Sequence, residues 1–165
     1  MEKNEPELEL VFNLVVKVMK QKTTWTKIDD IERKWHLIDV TDMVLGRAAS
    51  EIAQLLIGKN KVNRVPNLDC GDYVIVINSD KVQLTRGKGT KKTYFRHSGY
   101  PGGAKKITFD EQMQKDSTFV IEKAVKNMLP NNKLRDSMIT RLFVYKDSDH
   151  KHAAQKPEEV KLSSV

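Results

Sequence analysis

One stretch of this chain, KKTYFRHSGYPGGAKK from Lys91 to Lys106, combines cations, aromatic rings and glycines. Lysine and arginine bind phosphate, and flat rings stack on unpaired bases. Glycines allow positive φ angles and a close approach to a nucleic acid. The wider window from Lys81 to Phe109 contains eight Lys or Arg residues and no Asp or Glu. This composition favours a nucleic-acid-binding surface over the alternative, a merely solvated basic face.

Motifs typical of enzymes are missing from the sequence. The turn VTDMVLGR contains only Gly46 and does not match the G-x-G-x-x-G spacing of dinucleotide-binding folds. The segment RGKGTKK lacks the G-x-x-x-x-G-K-[ST] spacing of a phosphate-binding loop. Neither a G-x-S-x-G elbow nor an H-E-x-x-H zinc motif occurs. We therefore predict no catalytic residue, no cofactor and no small-molecule substrate.

The histidines and the cysteine are the possible metal ligands. His150 and His152 form an H-x-H pair, which could bind a metal if a third ligand joined it. Cys70 is the only cysteine and has no C-x-x-C partner, so we predict no metal site and no intrachain disulfide. We interpret the two histidines as polar contacts of a C-terminal tail, and the single cysteine favours a reducing, cytoplasmic compartment.

The length and charge of the chain indicate its broad class. With 165 residues and 39% hydrophobic residues, the chain is typical of one domain with a sizeable core. Its net charge of +7 indicates an anionic partner, either a polyanion or a membrane surface. The apolar run Leu8 to Met19 has 12 residues, whereas a membrane-spanning helix needs roughly 20, so we predict no membrane association.

The chain divides into three parts by composition. Residues 1–18 are acidic at their start and read as an N-terminal extension, or as sequence upstream of a true start at Met19. We predict a single α/β domain over residues 19–146, followed by an extended polar tail over residues 147–165.

The first half of the predicted domain reads as strand, helix, strand. The strands are His36 to Val40 and Tyr73 to Ile77, and the helix between them is Leu45 to Ile57, with Asp42 as an N-cap and Gly58 as its end. This order predicts a right-handed crossover and a largely parallel sheet. The predicted core comprises Leu37, Ile38, Ile52, Leu55, Val74, Ile75, Val76, Ile121, Val125 and Leu142.

The second half contains shorter elements. Lys81 to Thr85 and Thr93 to Arg96 are predicted strands of a hairpin around RGKGTKK, which has too few apolar residues for a core and so should project from the body. Predicted helices follow at Phe109 to Lys115, Phe119 to Leu129 and Leu134 to Thr140, and a last strand is predicted at Leu142 to Tyr145.

Two more basic patches occur besides the stretch from Lys91 to Lys106. One follows the first helix in GKNKVNRVP, and the other spans VKNMLPNNKLRDSMITR. Three patches on separate segments indicate an extended footprint, and no helix-turn-helix or zinc finger is present to read a DNA major groove. This layout favours structured RNA over duplex DNA as the partner.

Several segments resemble the universal large-subunit ribosomal protein thirteen family, in its bacterial type. They are KWHLIDVTDMVLGRAASEIAQLLIGKNK, DCGDYVIVINSDKVQLT, YFRHSGYPGG, AVKNMLP and VYKDSDHKHAAQKPE, in family order between about Trp35 and Glu159. The resemblance implies a structural constituent of the large ribosomal subunit that binds large-subunit (23S-type) rRNA and supports early subunit assembly. It also implies a three-layer α/β/α core, contacts with neighbouring large-subunit ribosomal proteins and no catalytic activity.

Some positions depart from the family pattern. Asn127 stands where a glycine is usual, and Arg135 and Asp136 stand where Gly-Arg is common. The second change moves a cation by one position and adds an acid. Cys70 replaces a usual threonine and Asn67 a usual histidine, and residues 1–18 have no counterpart.

The expected RNA surface combines the cations of all three patches with the HSGYPGG loop, which we expect to enter an RNA crevice. Two other classes stay open: an enzyme acting on nucleotides, and a module that binds an acidic protein. The candidate RNA-binding residues are Arg47, Lys59, Lys61, Arg64, Arg86, Lys88, Lys91, Lys92, Arg96, His97, Gly99, Tyr100, Gly102, Gly103, Lys105, Lys106, Lys126, Lys133, Arg135 and Arg141.

Overall fold

The computed structural model describes residues 25–162, within which one four-stranded sheet and one separate hairpin are found. The strands are β1 (Trp35–Asp39), β2 (Tyr73–Ile77), β3 (Thr93–His97), β4 (Ala104–Thr108), β5 (Leu142–Val144) and β6 (Glu158–Glu159). The helices are α1 (Leu45–Ile57), α2 (Lys88–Lys91), α3 (Phe109–Lys115), α4 (Ser117–Met128) and α5 (Leu134–Ile139). The predicted extension, residues 1–18, lies outside the described residues.

The main sheet is parallel throughout, in the order β5-β2-β1-β6. Because parallel neighbours in register point to the same side, Ile38, Val76 and Leu142 share one face. These residues form one core cluster with the buried residues of α1 and α4, so both helices cover this face. The mixed α/β class with a mostly parallel sheet, predicted from the sequence, is confirmed.

The opposite face of the sheet carries aromatic residues. Trp35 stacks on Tyr73 with ring centroids 4.3 Å apart, and on Phe143 at 5.8 Å. His152, from the C-terminal segment, lies 4.4 Å from Phe143 and 5.1 Å from Trp35. The C-terminal segment therefore folds back over this face, where it ends in β6 beside β1.

Helix α1 forms where the sequence predicts it. Its apolar positions recur at helical spacing, and Ala49, Ile52 and Leu56 are fully buried. The helix ends at Gly58, whose φ is 74°. The predicted cap at Asp42 is wrong: the N-cap position is Val44, and Asp42 instead accepts a hydrogen bond from the Gln83 amide at 2.9 Å.

The predicted core is confirmed at eight of its ten positions, which are buried. Leu37 and Leu55 are only partly buried. Leu37 lies on the aromatic face of the sheet, and Leu55 packs at the margin of the main cluster. The eight buried residues lie at the centre of the core, so their burial does not depend on the path of the outer loops. Alternation and helical spacing were therefore enough to identify them.

The predicted pairing of the hairpin is wrong. Residues 81–85 are not a strand; only an isolated bridge joins Gln83 to Val44. Strand β3 pairs instead with β4 across the SGYPGG turn. The segment RGKGTKK, which was predicted to be the hairpin loop, contains the single helical turn α2. Glycine and proline in both segments are compatible with a turn, so composition alone did not identify the one that closes the hairpin.

No helix between residues 25 and 162 is long and apolar enough to span a membrane. Within the same range, no cluster of three His, Cys, Asp or Glu residues is arranged to hold a metal ion.

Gly71 is a point of close approach between the loop before β2 and the end of α1. A Cβ atom added there would lie 1.7 Å from the carbonyl oxygen of Leu56 and 2.9 Å from Nη2 of Arg141. We expect Gly71→Ala to lower the free energy of unfolding by about 3 kcal/mol or more, because the backbone must move. Urea denaturation measures the effect.

Gly46→Ala is the matched control, since a Cβ at this helical position would meet nothing within 4 Å. We expect this change to raise the free energy of unfolding by up to about 1 kcal/mol, because alanine favours the helix. Equal stability of the two variants would contradict the close packing inferred at Gly71.

Candidate nucleic-acid interface

The β3–β4 hairpin places like charges opposite one another. In its antiparallel register Arg96 pairs with Lys105 and Phe95 with Lys106. Directly opposite side chains lie about 4.5–5.5 Å apart at Cβ, so the two cations repel and destabilise the hairpin. Arg96, Lys105 and Lys106 are all exposed, and none forms an ion pair with an acid in the described part of the chain. A bound polyanion would relieve this repulsion.

A tight turn closes the hairpin and presents an aromatic ring. The backbone N–H of Gly103 donates to the Tyr100 carbonyl at 2.9 Å, and Gly99 and Gly102 adopt φ angles of 88° and 70°. The Tyr100 side chain is 76% exposed at this tip. His97 has a structural role as well, because its Nδ1 accepts from the Gly99 N–H at 2.9 Å.

The two faces of the hairpin differ. Tyr94 is half-buried and contacts Phe119 of α4 edge-on, with centroids 5.9 Å apart. Burial raises the pKa of the Tyr94 hydroxyl. Phe95, the next residue, points to the outer face and is 61% exposed. The sequence expectation that one of these two rings faces the body is therefore met by Tyr94.

The base of the hairpin is anchored to α3. The N–H of Phe109 donates to the Lys92 carbonyl at 2.9 Å, and the Phe109 ring is buried. Thr108 and Glu111 cap the start of α3 reciprocally, at 3.4 Å and 3.0 Å. These contacts fix the orientation of the projecting strands relative to the core.

Lys92 lies at the junction between α2 and the hairpin. Its Nζ is 5.4 Å from the centre of the Tyr94 ring. Burial lowers the pKa of Lys92, and the neighbouring Lys88 lowers it further. Both effects disfavour the charged form, and a nearby anion would counteract them.

The second patch is divided between exposed and internal cations. Lys59 and Arg64 are exposed. Lys61 lies 2.5 Å from Oδ1 of Asp72 and donates to the Glu32 carbonyl. Burial alone would raise the pKa of Asp72, but hydrogen bonds from His36, Lys61 and the Lys34 N–H outweigh burial and lower it. Lys61 thus compensates a buried carboxylate.

Three cations of the third patch differ in their surroundings. Lys126 on α4 lies 3.8 Å from the carboxylate of Asp136 on α5, in an exposed pair of little energetic value. Lys133 is exposed, whereas Arg135 is partly buried and its Nε has no hydrogen-bond partner among the described residues. Asp136 therefore reduces the local positive charge.

Arg141 corrects the expectation of an RNA contact. It is only 5% exposed, and its guanidinium binds the Asp69 carboxylate. It also donates to the carbonyls of Leu56 at 3.2 Å and Asp72 at 3.4 Å. The position follows a helix and precedes a core strand, so the sequence showed a cation near the surface but not its partner 72 residues earlier.

Helix α4 connects the patches. Its Phe119 contacts the hairpin, and near its end Met128 receives a weak hydrogen bond from Ser50 of α1 at 3.5 Å. Arg47 lies one turn before Ser50 and is exposed. Helix α4 therefore lies beside the hairpin, the third patch and the end of α1 that carries Arg47. Lys59 and Arg64 lie beyond the other end of α1.

Two cations that the sequence analysis did not select lie beside the hairpin. Lys115 and Lys123 line a groove between the hairpin and α4, together with Asn127. Lys123 and Asn127 are exposed and one helical turn apart on α4. A helical projection of α4 could have identified this pair, but the adjacency of the hairpin depends on tertiary packing.

Comparison with known proteins gives a consistent family. The model of the ribosomal protein L13 family matches residues 33–151. The large ribosomal subunit protein uL13 of Thermotoga petrophila is 49% identical over 142 residues, which cover 86% of this chain and 95% of that protein. The uL13 proteins of Kocuria rhizophila and Crocosphaera subtropica are 47% and 49% identical over 144 residues, covering 87% of this chain and 98% and 95% of theirs.

The internal role of Arg141 leads to a stability prediction. We expect Arg141→Ala to lower the free energy of unfolding by about 3–5 kcal/mol, because it removes a buried guanidinium and leaves the partly buried Asp69 carboxylate unpaired. Lys133→Ala removes an exposed cation nearby and should change stability by less than about 0.5 kcal/mol. If Arg141→Ala unfolded in urea like the unchanged protein, the guanidinium would not hold the fold together.

Proposed function

We propose the function of this chain from one premise, that it belongs to the ribosomal protein L13 family. It is a structural constituent of the large ribosomal subunit rather than an enzyme, and it acts in translation within the cytoplasmic ribosome. Its partners are large-subunit rRNA and other ribosomal proteins. Support of early subunit assembly is consistent with the family.

The surface that meets the rRNA is the finer part of the proposal. The observation that carries it is the cation array of the hairpin, where Arg96 lies opposite Lys105 without an acid to compensate either charge among the described residues. Replacing one of these cations by an acid would turn the repulsion into an attraction, so the stability of the fold alone does not explain the cation pair. Phosphate groups supply the missing negative charge and position the protein on the RNA.

The proposed RNA surface extends from the hairpin along α4. Lys61 and Arg141 are omitted because each compensates a carboxylate within the fold. Lys126 keeps a reduced role beside Asp136. The remaining members are Arg47, Lys59, Arg64, Arg86, Lys88, Lys91, Lys92, Arg96, His97, Gly99, Tyr100, Gly102, Gly103, Lys105, Lys106, Lys133 and Arg135.

The turn at the hairpin tip has a distinct role in this proposal. Tyr100 is exposed at the end of a turn whose backbone is fixed by hydrogen bonds. A rigid turn with an outward ring can enter an RNA crevice at low cost in conformational entropy and stack on a base. The hairpin strands would then contact phosphates on either side of the crevice.

The test of the surface removes two opposed cations. We expect Arg96→Ala/Lys105→Ala to weaken binding to refolded large-subunit rRNA and to flatten the slope of log K against log salt by about 1.4–1.8, for two lost phosphate contacts. Filter binding over a series of salt concentrations gives both quantities.

Lys151→Ala/Lys161→Ala is the matched control, since it removes two exposed lysines from the C-terminal segment that covers the opposite face of the sheet. We expect its slope to remain that of the unchanged protein. An unchanged slope in the hairpin variant, or an equal change in the control, would place the RNA contact elsewhere.

The test of the function is association with ribosomes in cells. We expect the tagged protein to sediment with the large subunit at moderate and at high salt, because its RNA contacts are integral to the particle. The hairpin variant should dissociate at a lower salt concentration than the control variant. Recovery of the unchanged protein only in the soluble fraction would contradict the assignment and favour the alternative of an acidic protein partner.

A further inference from the structure

A groove separates the inner face of the hairpin from helix α4. Its volume is about 730 Å³, within the range of sites that hold a molecule of nucleotide size. The inner face of the hairpin contributes Tyr94, Arg96 and Ile107, and the helix contributes Phe119 and Ala124. The groove therefore combines aromatic and aliphatic walls with charge.

Phe119 gives the groove an available flat surface. Its neighbours on α4, Val120 and Ile121, are fully buried, but the Phe119 ring is 39% exposed. Its contact with Tyr94 is edge-on, at an interplanar angle of 72°, so Tyr94 does not cover both faces of the ring. An exposed aromatic face inside a groove is suited to stack on a base.

The charges around the groove attract an anion. Five cations line it, namely Lys92, Arg96, Lys105, Lys115 and Lys123, against one acid, Asp116. None of the five forms an ion pair with a described acid. The Asp116 carboxylate is already engaged, because it accepts hydrogen bonds from the N–H and hydroxyl of Thr118 at the start of α4.

Asn127 adds a group that can read a base edge. Its side chain is exposed and lines the groove one turn after Lys123. An amide offers both donors and an acceptor, as the Watson–Crick edge of an unpaired base requires. The groove thus contains a stacking surface, an amide and several phosphate-binding cations.

We propose that this groove holds one unpaired nucleotide of the bound rRNA, with its base against Phe119 and its phosphate at Arg96 and Lys105. The proposal rests on the function proposed above and names the part of the RNA that this site takes. An RNA strand fits better than a free nucleotide, because the cations continue beyond the groove to Lys106 on the outer face. Adjacent phosphates of the same strand would meet them.

Stacking and charge can be separated by their salt dependence. Phe119→Leu keeps an apolar side chain against Tyr94 but removes the flat ring and no charge. We expect its affinity for refolded large-subunit rRNA to fall about 5- to 150-fold at every salt concentration, with an unchanged slope. Trp25→Leu, which removes an exposed ring that does not line the groove, is the matched control and should bind like the unchanged protein.

Ala124→Leu provides a second test that leaves the aromatic pair intact. It fills the groove without changing any charge. We therefore expect its affinity for the rRNA to fall at every salt concentration, again with an unchanged slope. Thermal unfolding of each variant verifies that the hairpin and α4 remain folded. If Phe119→Leu disturbed folding, the result with Ala124→Leu would decide.

The outcomes distinguish this inference from the function on which it rests. Steep salt-dependent binding that neither Phe119→Leu nor Ala124→Leu weakens would overturn the groove proposal and leave rRNA binding intact. An equal loss with Trp25→Leu would show that the effect of removing a ring is not specific to the groove and would also overturn it. Effective competition by uridine monophosphate would show a small-ligand site instead. If the unchanged protein did not bind the rRNA at all, both proposals would fall together.

Discussion

The guanidinium of Arg141 joins three segments that are far apart in the sequence. It binds the Asp69 carboxylate, the carbonyl at the end of α1 and a carbonyl in the loop before β2. The Arg141 carbonyl in turn accepts a hydrogen bond from the N–H of Val74 at 3.0 Å, next to the first residue of β5. Gly71 permits this convergence, because any side chain there would meet the Leu56 carbonyl. The positions of α1, β2 and β5 depend on this one buried cation.

The cations of the chain therefore have two different physical roles. Arg141 and Lys61 compensate carboxylates within the fold, where the loss of either partner would leave a charge in a poorly solvated place. The hairpin cations have no such partners among the described residues and repel each other across the strands. Net charge alone does not separate these roles. The internal cations stabilise the body, and the uncompensated ones mark the surface that we propose for an anionic partner.

The sequence predicted elements whose signal is local. The bounds of helix α1 were predicted, though not its N-cap, because its apolar spacing and Gly58 lie within the helix or beside it. The partner of β3 was predicted wrongly, since two neighbouring segments both carry turn residues and only packing selects SGYPGG. Arg141 was predicted as a surface cation because its partner, Asp69, is 72 positions away. Lys115 and Lys123 were missed for the same reason: the groove they line exists only once the hairpin lies against α4.

The body of the fold offsets part of the energetic cost of the charged hairpin. A two-stranded hairpin is at best marginally stable by itself, and opposed cations weaken it further. The body offsets this through the buried Phe109, the reciprocal caps at Thr108 and Glu111, and the edge contact between Tyr94 and Phe119. These contacts hold the base and inner face of the hairpin, whereas its tip at Tyr100 has none with the core cluster. A ligand that binds only the folded form stabilises it by an amount that grows with the logarithm of its affinity. In the proposed complex, rRNA contacts at the tip would add support where the body supplies none.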